Sequence, residues 1–126
     1  MASRFVILHH RISDGEHWDL MLEQGEVLLT WQLLREPIDR SSLPIPARRI
    51  GEHRKTYLDY EGPLTGDRGV VRRVDSGSLE VLEHTPSRLQ VVLEGRRLNG
   101  TFALLRKDDE WMLGDCDTNA AALSDA

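Results

Sequence analysis

Hydrophobic and polar residues alternate with a period of two along most of the chain. The alternation is clearest in His17–Glu23, where Trp18, Leu20 and Leu22 fall on one face and a mostly polar set, joined by Met21, falls on the other. Short runs rich in β-branched and aromatic residues are typical of strands. The pattern predicts strands at Arg4–His10, His17–Glu23, Val27–Leu34, Gly69–Val74, Leu79–His84, Arg88–Glu94, Thr101–Lys107 and Glu110–Leu113.

Turn-forming residues separate these predicted strands, and the sequence shows no helical stripe of three or more turns. Asp14-Gly15, Asp75-Ser76-Gly77 and Asn99-Gly100 are examples of the turn signals. Strands at this spacing indicate an all-β, mainly antiparallel fold, which is either a barrel or a sandwich. The proline-rich segment Glu36–Ala47 and the glycine-rich segment Glu61–Gly69 are expected to be irregular loops.

Length and composition favour a single small domain. The chain has 126 residues and a mass of 14.4 kDa. We expect one domain over residues 1–114 and a flexible C-terminal tail over residues 115–126. A lone cysteine, Cys116, excludes an intramolecular disulfide and a cysteine-rich zinc module. No apolar run approaches the roughly 18 residues of a membrane span, and no signal peptide is recognised. We therefore expect a cytoplasmic protein without membrane contact.

Basic residues concentrate in one segment of an acidic chain. The formal net charge is −5, which excludes a histone-like, wholly basic nucleic-acid binder. Residues 35–55 nevertheless carry six basic and three acidic side chains. This segment is either an ordinary solvated loop or a rim that faces phosphate groups.

A set of histidines and one aspartate forms the strongest candidate for chemistry. His17 and Asp19 lie two residues apart on a predicted strand, so both side chains leave the same face. His9 and His10 end the preceding strand, and a short loop would bring one of them beside this pair. Two imidazoles and a carboxylate suit Mn²⁺, Fe²⁺ or Zn²⁺. The alternative is that these are ordinary surface histidines near a turn, with Asp19 pairing one of them.

Several motifs in order resemble one family. They are Arg4–Ile7 followed by His10, His17–Glu23, Gly25–Trp31, Glu52-His53 with Tyr57–Gly62, Glu94–Arg106, and Glu110–Leu113. This series resembles the 3′-phosphoesterase domain of bacterial DNA ligase D over about residues 4–114. The resemblance implies a small closed β-barrel with irregular loops. It also implies a Mn²⁺-dependent enzyme that removes a 3′-terminal ribonucleoside and then the 3′-phosphate from DNA ends during repair.

The resemblance also implies roles for individual residues. The metal ligands would be His10, His17 and Asp19, with His9 as the alternative to His10. The residues near the scissile phosphate would be His53, Tyr57 and Arg35. A further arginine of the family falls on Ile45 here, and Arg49 or its neighbour Arg48 would take its place from a shifted position. The implied partners are DNA 3′ ends or a primer-template, and a separate ligase or polymerase.

One departure from the family pattern bears on activity. Met21 stands where the family has an arginine that binds phosphate, and a thioether has no hydrogen-bond donor. Met21 therefore favours an alternative function, in which a barrel of the same fold binds a metal or a nucleic-acid end without turnover. His53 and Tyr57 are retained and favour the enzyme.

Overall fold

The computed structural model describes residues 3–116, and these fold into nine strands. A strand alternates its side chains between two faces, and the apolar alternation of this sequence is what lets each strand bury one of them. The strands are β1 Ser3–Ile12, β2 Gly15–Gln24, β3 Val27–Leu33, β4 Ile45–Arg54, β5 Gly62–Pro63, β6 Val70–Thr85, β7 Arg88–Glu94, β8 Asn99–Lys107 and β9 Glu110–Asp115.

The strands form one antiparallel sheet that closes on itself. Their order is β1-β2-β3-β4-β9-β8-β7-β6-β5, and β1 also pairs with β6, which joins the two ends of the sheet. Eight strands thus close into a barrel, while the two-residue strand β5 pairs with the first two residues of β6, Val70 and Val71. Closure leaves few unpaired backbone groups at a sheet edge. The predicted all-β, antiparallel closed barrel is confirmed.

The barrel interior is filled by one face of each strand. On β1 and β2 the interior residues include Phe5, Ile7, Leu20 and Leu22, each at most 1% exposed. Trp31 and Trp111 meet edge to face inside the barrel, with ring centroids 5.4 Å apart. The apolar residues that recur at every second position of the sequence are therefore those that fill the barrel interior.

A second apolar cluster lies on the outside of the barrel. It consists of Val6, Leu8, Met21, Leu28, Leu58 and Val71, with Tyr57 and Leu64 packed against it. A short 3₁₀ helix, Lys55–Leu58, covers this part of the sheet. Met21 belongs to the face that the sequence assigned as polar, yet the helix leaves it only 2% exposed. The outer face of β2 is therefore apolar under the helix and polar beyond it.

Two predictions about the strands are wrong. The segment predicted as the loop Glu36–Ala47 ends early, because β4 begins at Ile45 and continues through the basic residues to Arg54. The predicted turn at Asp75-Ser76-Gly77 is absent, since β6 runs through it as one strand of 16 residues. The Asp75 carboxylate instead accepts the backbone N–H groups of Arg96 and Leu98 at 2.7 and 3.0 Å. Asp75, which the sequence suggested as a turn residue, instead holds the loop between β7 and β8 in place.

Of the predicted C-terminal tail, the structure describes only residues 115 and 116. β9 extends to Asp115, and the Cys116 N–H donates to the carbonyl of Thr101 at 2.9 Å. The rest of the predicted tail, residues 117–126, falls outside the described residues. Within residues 3–116, no helix has the length and apolar character needed to cross a membrane.

Candidate metal centre

The hairpin formed by β1 and β2 brings two histidines into contact. His10 lies directly opposite His17 in the register, and Leu8 lies opposite Asp19. Directly opposite residues of an antiparallel pair project to the same side of the sheet. The two imidazole rings accordingly meet on the outer face, with their centroids 4.7 Å apart at an angle of 78°.

Asp19 lies beneath these rings and approaches both. Its Oδ1 is 2.7 Å from Nδ1 of His17, and its Oδ2 is 3.5 Å from Nδ1 of His10. The residue is only 3% exposed, although its charged form would favour solvent. One ligating atom from each of the three residues lies within 4.8 Å of the others. The structure thus brings the three predicted ligands together at one point.

The loop before β6, which pairs with the other edge of β1, orients His10. The Nε2–H of His10 donates to the carbonyl of Arg68 at 2.6 Å, which leaves Nδ1 directed toward Asp19. This loop lies close to β1 because Gly69 has no side chain: a Cβ atom there would be 2.1 Å from the carbonyl oxygen of Arg11. Histidines that bind metals usually donate their second N–H to a carboxylate, a backbone carbonyl or water.

Gln32 completes the surroundings of the second histidine. It lies opposite Asp19 on β3, and its Nε2 is 3.5 Å from Nε2 of His17. Sequence reasoning did not identify Gln32, nor the carbonyl of Arg68. The alternation in β3 was the available signal for Gln32, since it places this amide on the same face as Thr30 and beside the outer face of β2.

The chemistry of this donor set fits a divalent transition ion. Two imidazole nitrogens and one carboxylate oxygen form the kind of facial set that leaves coordination positions open. Among residues 3–116, no arginine or lysine forms an ion pair with Asp19; its ion-pair contacts are the two histidines. A buried carboxylate without a fixed cationic partner is a group whose charge a divalent ion would balance.

His9 is held on the opposite side of β1. Its ring stacks on Trp18 with centroids 4.9 Å apart and an angle of 14° between the planes. Its Nε2 lies 2.6 Å from Oε1 of Glu16. Because neighbouring residues of a strand face opposite sides, His9 and His10 cannot both reach Asp19. Of the two histidines left open by the sequence, His10 is the one beside Asp19.

His53 and Tyr57 lie on the same outer face as the candidate ligands. His53 is opposite Leu28 of the outer cluster, and its Nδ1–H donates to the carbonyl of Gly51 at 2.9 Å. The rings of His53 and Tyr57 meet edge to face, 5.6 Å apart. Within the described chain, no hydrogen bond or ring contact joins this pair to His10 or His17. Apolar residues of the outer cluster lie between the two groups.

The three candidate arginines lie in different surroundings. Arg49 places its guanidinium over the ring of Trp31, 4.4 Å from the centroid, on the interior side of β4. Arg48 is opposite Gln32 and therefore lies on the face of the candidate metal centre. The guanidinium of Arg35 donates to the carbonyls of Ser42 and Pro44 in the adjoining loop. The register favours Arg48 over Arg49 as the arginine nearer the centre.

Two ion pairs fasten the covering 3₁₀ helix to the sheet. Lys55 contacts Glu23 of β2 at 2.8 Å, and Asp59 contacts Arg4 of β1 at 2.8 Å. The hydrogen bond from Lys55 is the main reason why the pKa of Glu23 lies below its ordinary value, with the backbone N–H of Arg4 adding to it and partial burial opposing it. The hydrogen bond from Arg4 likewise lowers the pKa of Asp59. These pairs hold Tyr57 over the outer cluster.

Comparison with known proteins points to one family. Residues 8–106 match the model of the DNA ligase D 3′-phosphoesterase domain. The chain is 30% identical over 119 residues to the multifunctional non-homologous end joining protein LigD of Mycobacterium bovis, which covers 88% of this chain and 16% of the relative. A LigD protein described as a non-homologous end joining DNA repair protein, from Mycobacterium tuberculosis, matches with the same identity and coverage. The similarity thus spans a small part of these relatives.

Proposed function

The chain belongs to the DNA ligase D 3′-phosphoesterase family, and from this membership we propose that it is a Mn²⁺-dependent enzyme that processes DNA 3′ ends. The proposed reaction is removal of a 3′-terminal ribonucleoside and of the 3′-phosphate. The family is a phosphoesterase family, which supports a hydrolase. The function of the longer relatives supports a role in DNA repair.

One observation carries this proposal: a buried carboxylate, Asp19, lies between two half-buried imidazoles on the outer face of the barrel. A divalent ion held by His10, His17 and Asp19 would supply Lewis acidity toward a phosphate oxygen. Mn²⁺ suits a set that mixes imidazole and carboxylate ligands and retains open positions. The carbonyl of Arg68 fixes the tautomer of His10 so that its Nδ1 is available to the ion.

The other groups on this face have chemistry suited to a phosphate ester. We assign to His53 the protonation of the leaving oxygen or a hydrogen bond to the phosphate, and to Tyr57 a hydrogen bond from its phenol. The N–H groups of Arg35 and of Arg48 or Arg49 would offset the charge that develops on the phosphate oxygens. Arg48 is the better placed of the last two, since it lies opposite Gln32.

The proposed setting follows from the relatives and the composition. The substrates would be DNA 3′ ends or a primer-template, and the product would pass to a ligase or polymerase activity of the kind expected beside this family. A single cysteine is consistent with the reducing cytoplasm, which we propose as the location.

A second function is favoured by one residue. Met21 occupies the family's position for a phosphate-binding arginine, and it is buried in the outer apolar cluster rather than directed at the centre. A barrel that lacks this arginine could hold a metal ion and a DNA end without cleaving it. The assay below separates this reading from the enzyme.

The deciding experiment is a cleavage assay with matched ligand variants. A primer-template ending in a 3′-phosphate is incubated with Mn²⁺ and the wild-type protein, Asp19→Asn, or Glu110→Gln as a control at an exposed carboxylate. We expect phosphate release by the wild type and by Glu110→Gln, and loss of release in Asp19→Asn. Mn²⁺ binding by calorimetry without any phosphate release would support the non-catalytic reading. Release that persists in Asp19→Asn would exclude this centre as the site.

A further inference from the structure

A second candidate site lies on the side of β1 that faces away from the metal centre. We propose that the cleft lined by His9, Arg11, Val70 and Arg72 binds a backbone phosphate of duplex DNA, distinct from the phosphate processed at the metal centre. The inference rests on the proposed function, because it takes DNA as the ligand. It assigns a positioning role to residues that the family motifs do not include.

The register of the barrel builds this cleft. β1 pairs with β6 so that His9 lies opposite Arg72, and Arg11 lies opposite Val70. The four side chains therefore share one side of the sheet and enclose a cleft of about 280 Å³. His9 and Arg11 continue the row of interior residues that ends at Ile7, which is 0% exposed. The cleft consequently lies where the interior of the barrel opens to solvent.

Two guanidinium groups in the cleft are available to a ligand. Within residues 3–116, the side chains of Arg11 and Arg72 make no hydrogen bond or ion pair, and both residues are exposed. The acidic residue that faces Arg11 across the register is Glu16, and its carboxylate contacts His9 at 2.6 Å. The planar N–H forks of the two arginines match the oxygens of a phosphodiester.

The histidine that lines the cleft is held in place on both sides. The ring of His9 is fixed between the stacked ring of Trp18 and the carboxylate of Glu16. A site with fixed walls loses less conformational entropy when it binds a ligand. His9 and His10 are consecutive, so the cleft and the candidate metal centre lie back to back across β1. A duplex whose 3′ end occupies the metal centre would pass the barrel end on which the cleft opens.

Arg96 offers a matched control. It is exposed, and no ion pair engages its side chain within the described chain. Its neighbour Gly95 lies close to Phe5, near the start of β1, whereas Arg11 is near its end. Strands rise by about 3.3 Å per residue, so the two arginines are on the order of 20 Å apart along the barrel. Arg96→Gln removes one positive charge without touching the cleft, which is the same change in charge as Arg11→Gln or Arg72→Gln alone.

The test measures duplex binding in the absence of metal. Fluorescence anisotropy with a labelled duplex ending in a 3′-phosphate, in EDTA and at several salt concentrations, compares the wild type with Arg11→Gln, Arg72→Gln, their double variant and the single-charge control Arg96→Gln. We expect the double variant to bind about tenfold more weakly at low salt. The slope of log affinity against log salt should fall by about one for each arginine that contacts a phosphate. Arg96→Gln should match the wild type in both measurements.

Each outcome is decisive and separable from the proposed function. Affinities and salt slopes of Arg11→Gln and Arg72→Gln equal to those of Arg96→Gln would overturn the cleft as a phosphate site, even if the wild type releases 3′-phosphate. A wild type that does not bind duplex DNA at all would also overturn it. Cleft-dependent binding without Mn²⁺-dependent release would sustain the cleft and refute the enzyme. Thermal melts check that all variants are folded.

Discussion

His10 and His17 are register partners in the β1–β2 hairpin, and their rings meet at 4.7 Å on the outer face of the barrel. The spacing of these rings is set by the ladder of backbone hydrogen bonds and not by flexible loop residues. Asp19 reaches both rings from the adjacent position on the same face of β2. The ligand geometry is thus already organised by the fold of the hairpin, which is the property that a tight metal site requires.

Asp19→Asn should remove most of the affinity for Mn²⁺ while the barrel remains folded. The amide is nearly the same size as the carboxylate, but it loses the negative charge that a divalent ion requires. Calorimetric titration with Mn²⁺ and circular dichroism of the metal-free protein measure the two effects. Undiminished Mn²⁺ binding by Asp19→Asn would contradict the proposed ligand set.

Gly69→Ala should weaken metal binding from a distance. A Cβ atom at this position meets the carbonyl oxygen of Arg11 at 2.1 Å, and the φ angle of +96° is unfavourable for alanine. The loop must move, which displaces the Arg68 carbonyl from His10. We expect Mn²⁺ affinity to fall by about 10–100-fold, as for other losses of a group that orients a ligand, and stability to fall by about 1–3 kcal/mol.

Gly25→Ala is the control for that variant. Gly25 also has a positive φ, +61°, but a Cβ atom there has no neighbour within 4 Å. We expect a loss of about 1–2 kcal/mol of stability from the backbone conformation, with Mn²⁺ affinity unchanged. Chemical denaturation and calorimetry on both variants separate general destabilisation from the effect on His10. Equal Mn²⁺ affinities in the two variants would show that the Arg68 carbonyl does not matter.

Met21→Arg should destabilise the protein and should not restore a phosphate contact. The resemblance to the family implies that an arginine at this position would bind phosphate. The structure places Met21, 2% exposed, among apolar residues under the 3₁₀ helix. Leaving a buried charge unpaired costs about 3–5 kcal/mol, whereas Met21→Leu should cost less than about 1.5 kcal/mol. A stable Met21→Arg protein with faster 3′-phosphate release would mean that the helix moves aside readily.

The Glu23–Lys55 pair should make stability depend on acid pH. The pKa of Glu23 is lower in the folded protein than its ordinary value of 4.5, chiefly through Lys55. The unfolded chain therefore binds more protons in this range, so the contribution is complete above pH 4.5 and is lost as pH falls through the folded pKa. Denaturation at a series of pH values should show a shallower acid decline for Glu23→Gln than for the control Glu110→Gln. Parallel curves for the two variants would contradict the prediction.

Much of the barrel follows from alternation, and the exceptions have physical causes. The sequence placed Trp18 and Leu22 on the core face correctly, because strand periodicity alone decides this. It missed β4 because Pro44 and Pro46 resemble a loop and the following residues are charged. Pro46 is accommodated because its carbonyl can still accept the N–H of Leu34 at 3.0 Å. Local pattern cannot reveal such pairing with a distant strand.

Part of the candidate site could also be predicted from the alternation of side chains along a strand. His17 and Asp19 could be paired from their spacing, and the hairpin then supplied His10. The burial of Met21 could not be predicted, since the helix that covers it comes from residues 55–58 and is positioned by long-range ion pairs. The choice between Arg48 and Arg49 depended on the register of β4, a strand that the sequence did not reveal.

Because His9 and His10 face opposite sides of the sheet, the site depends on the residue register of β1. A single residue inserted between Val6 and His9 would reverse the faces of every later side chain in the strand, provided that Phe5 and Val6 kept their partners Leu22 and Met21 in β2. His9 would then stand beside His17, while His10 would point into the barrel end with Trp18. An added residue in the turn at Ser13-Asp14 would leave both faces as they are. Length variation among related chains should therefore be tolerated at the turn and excluded from the strand.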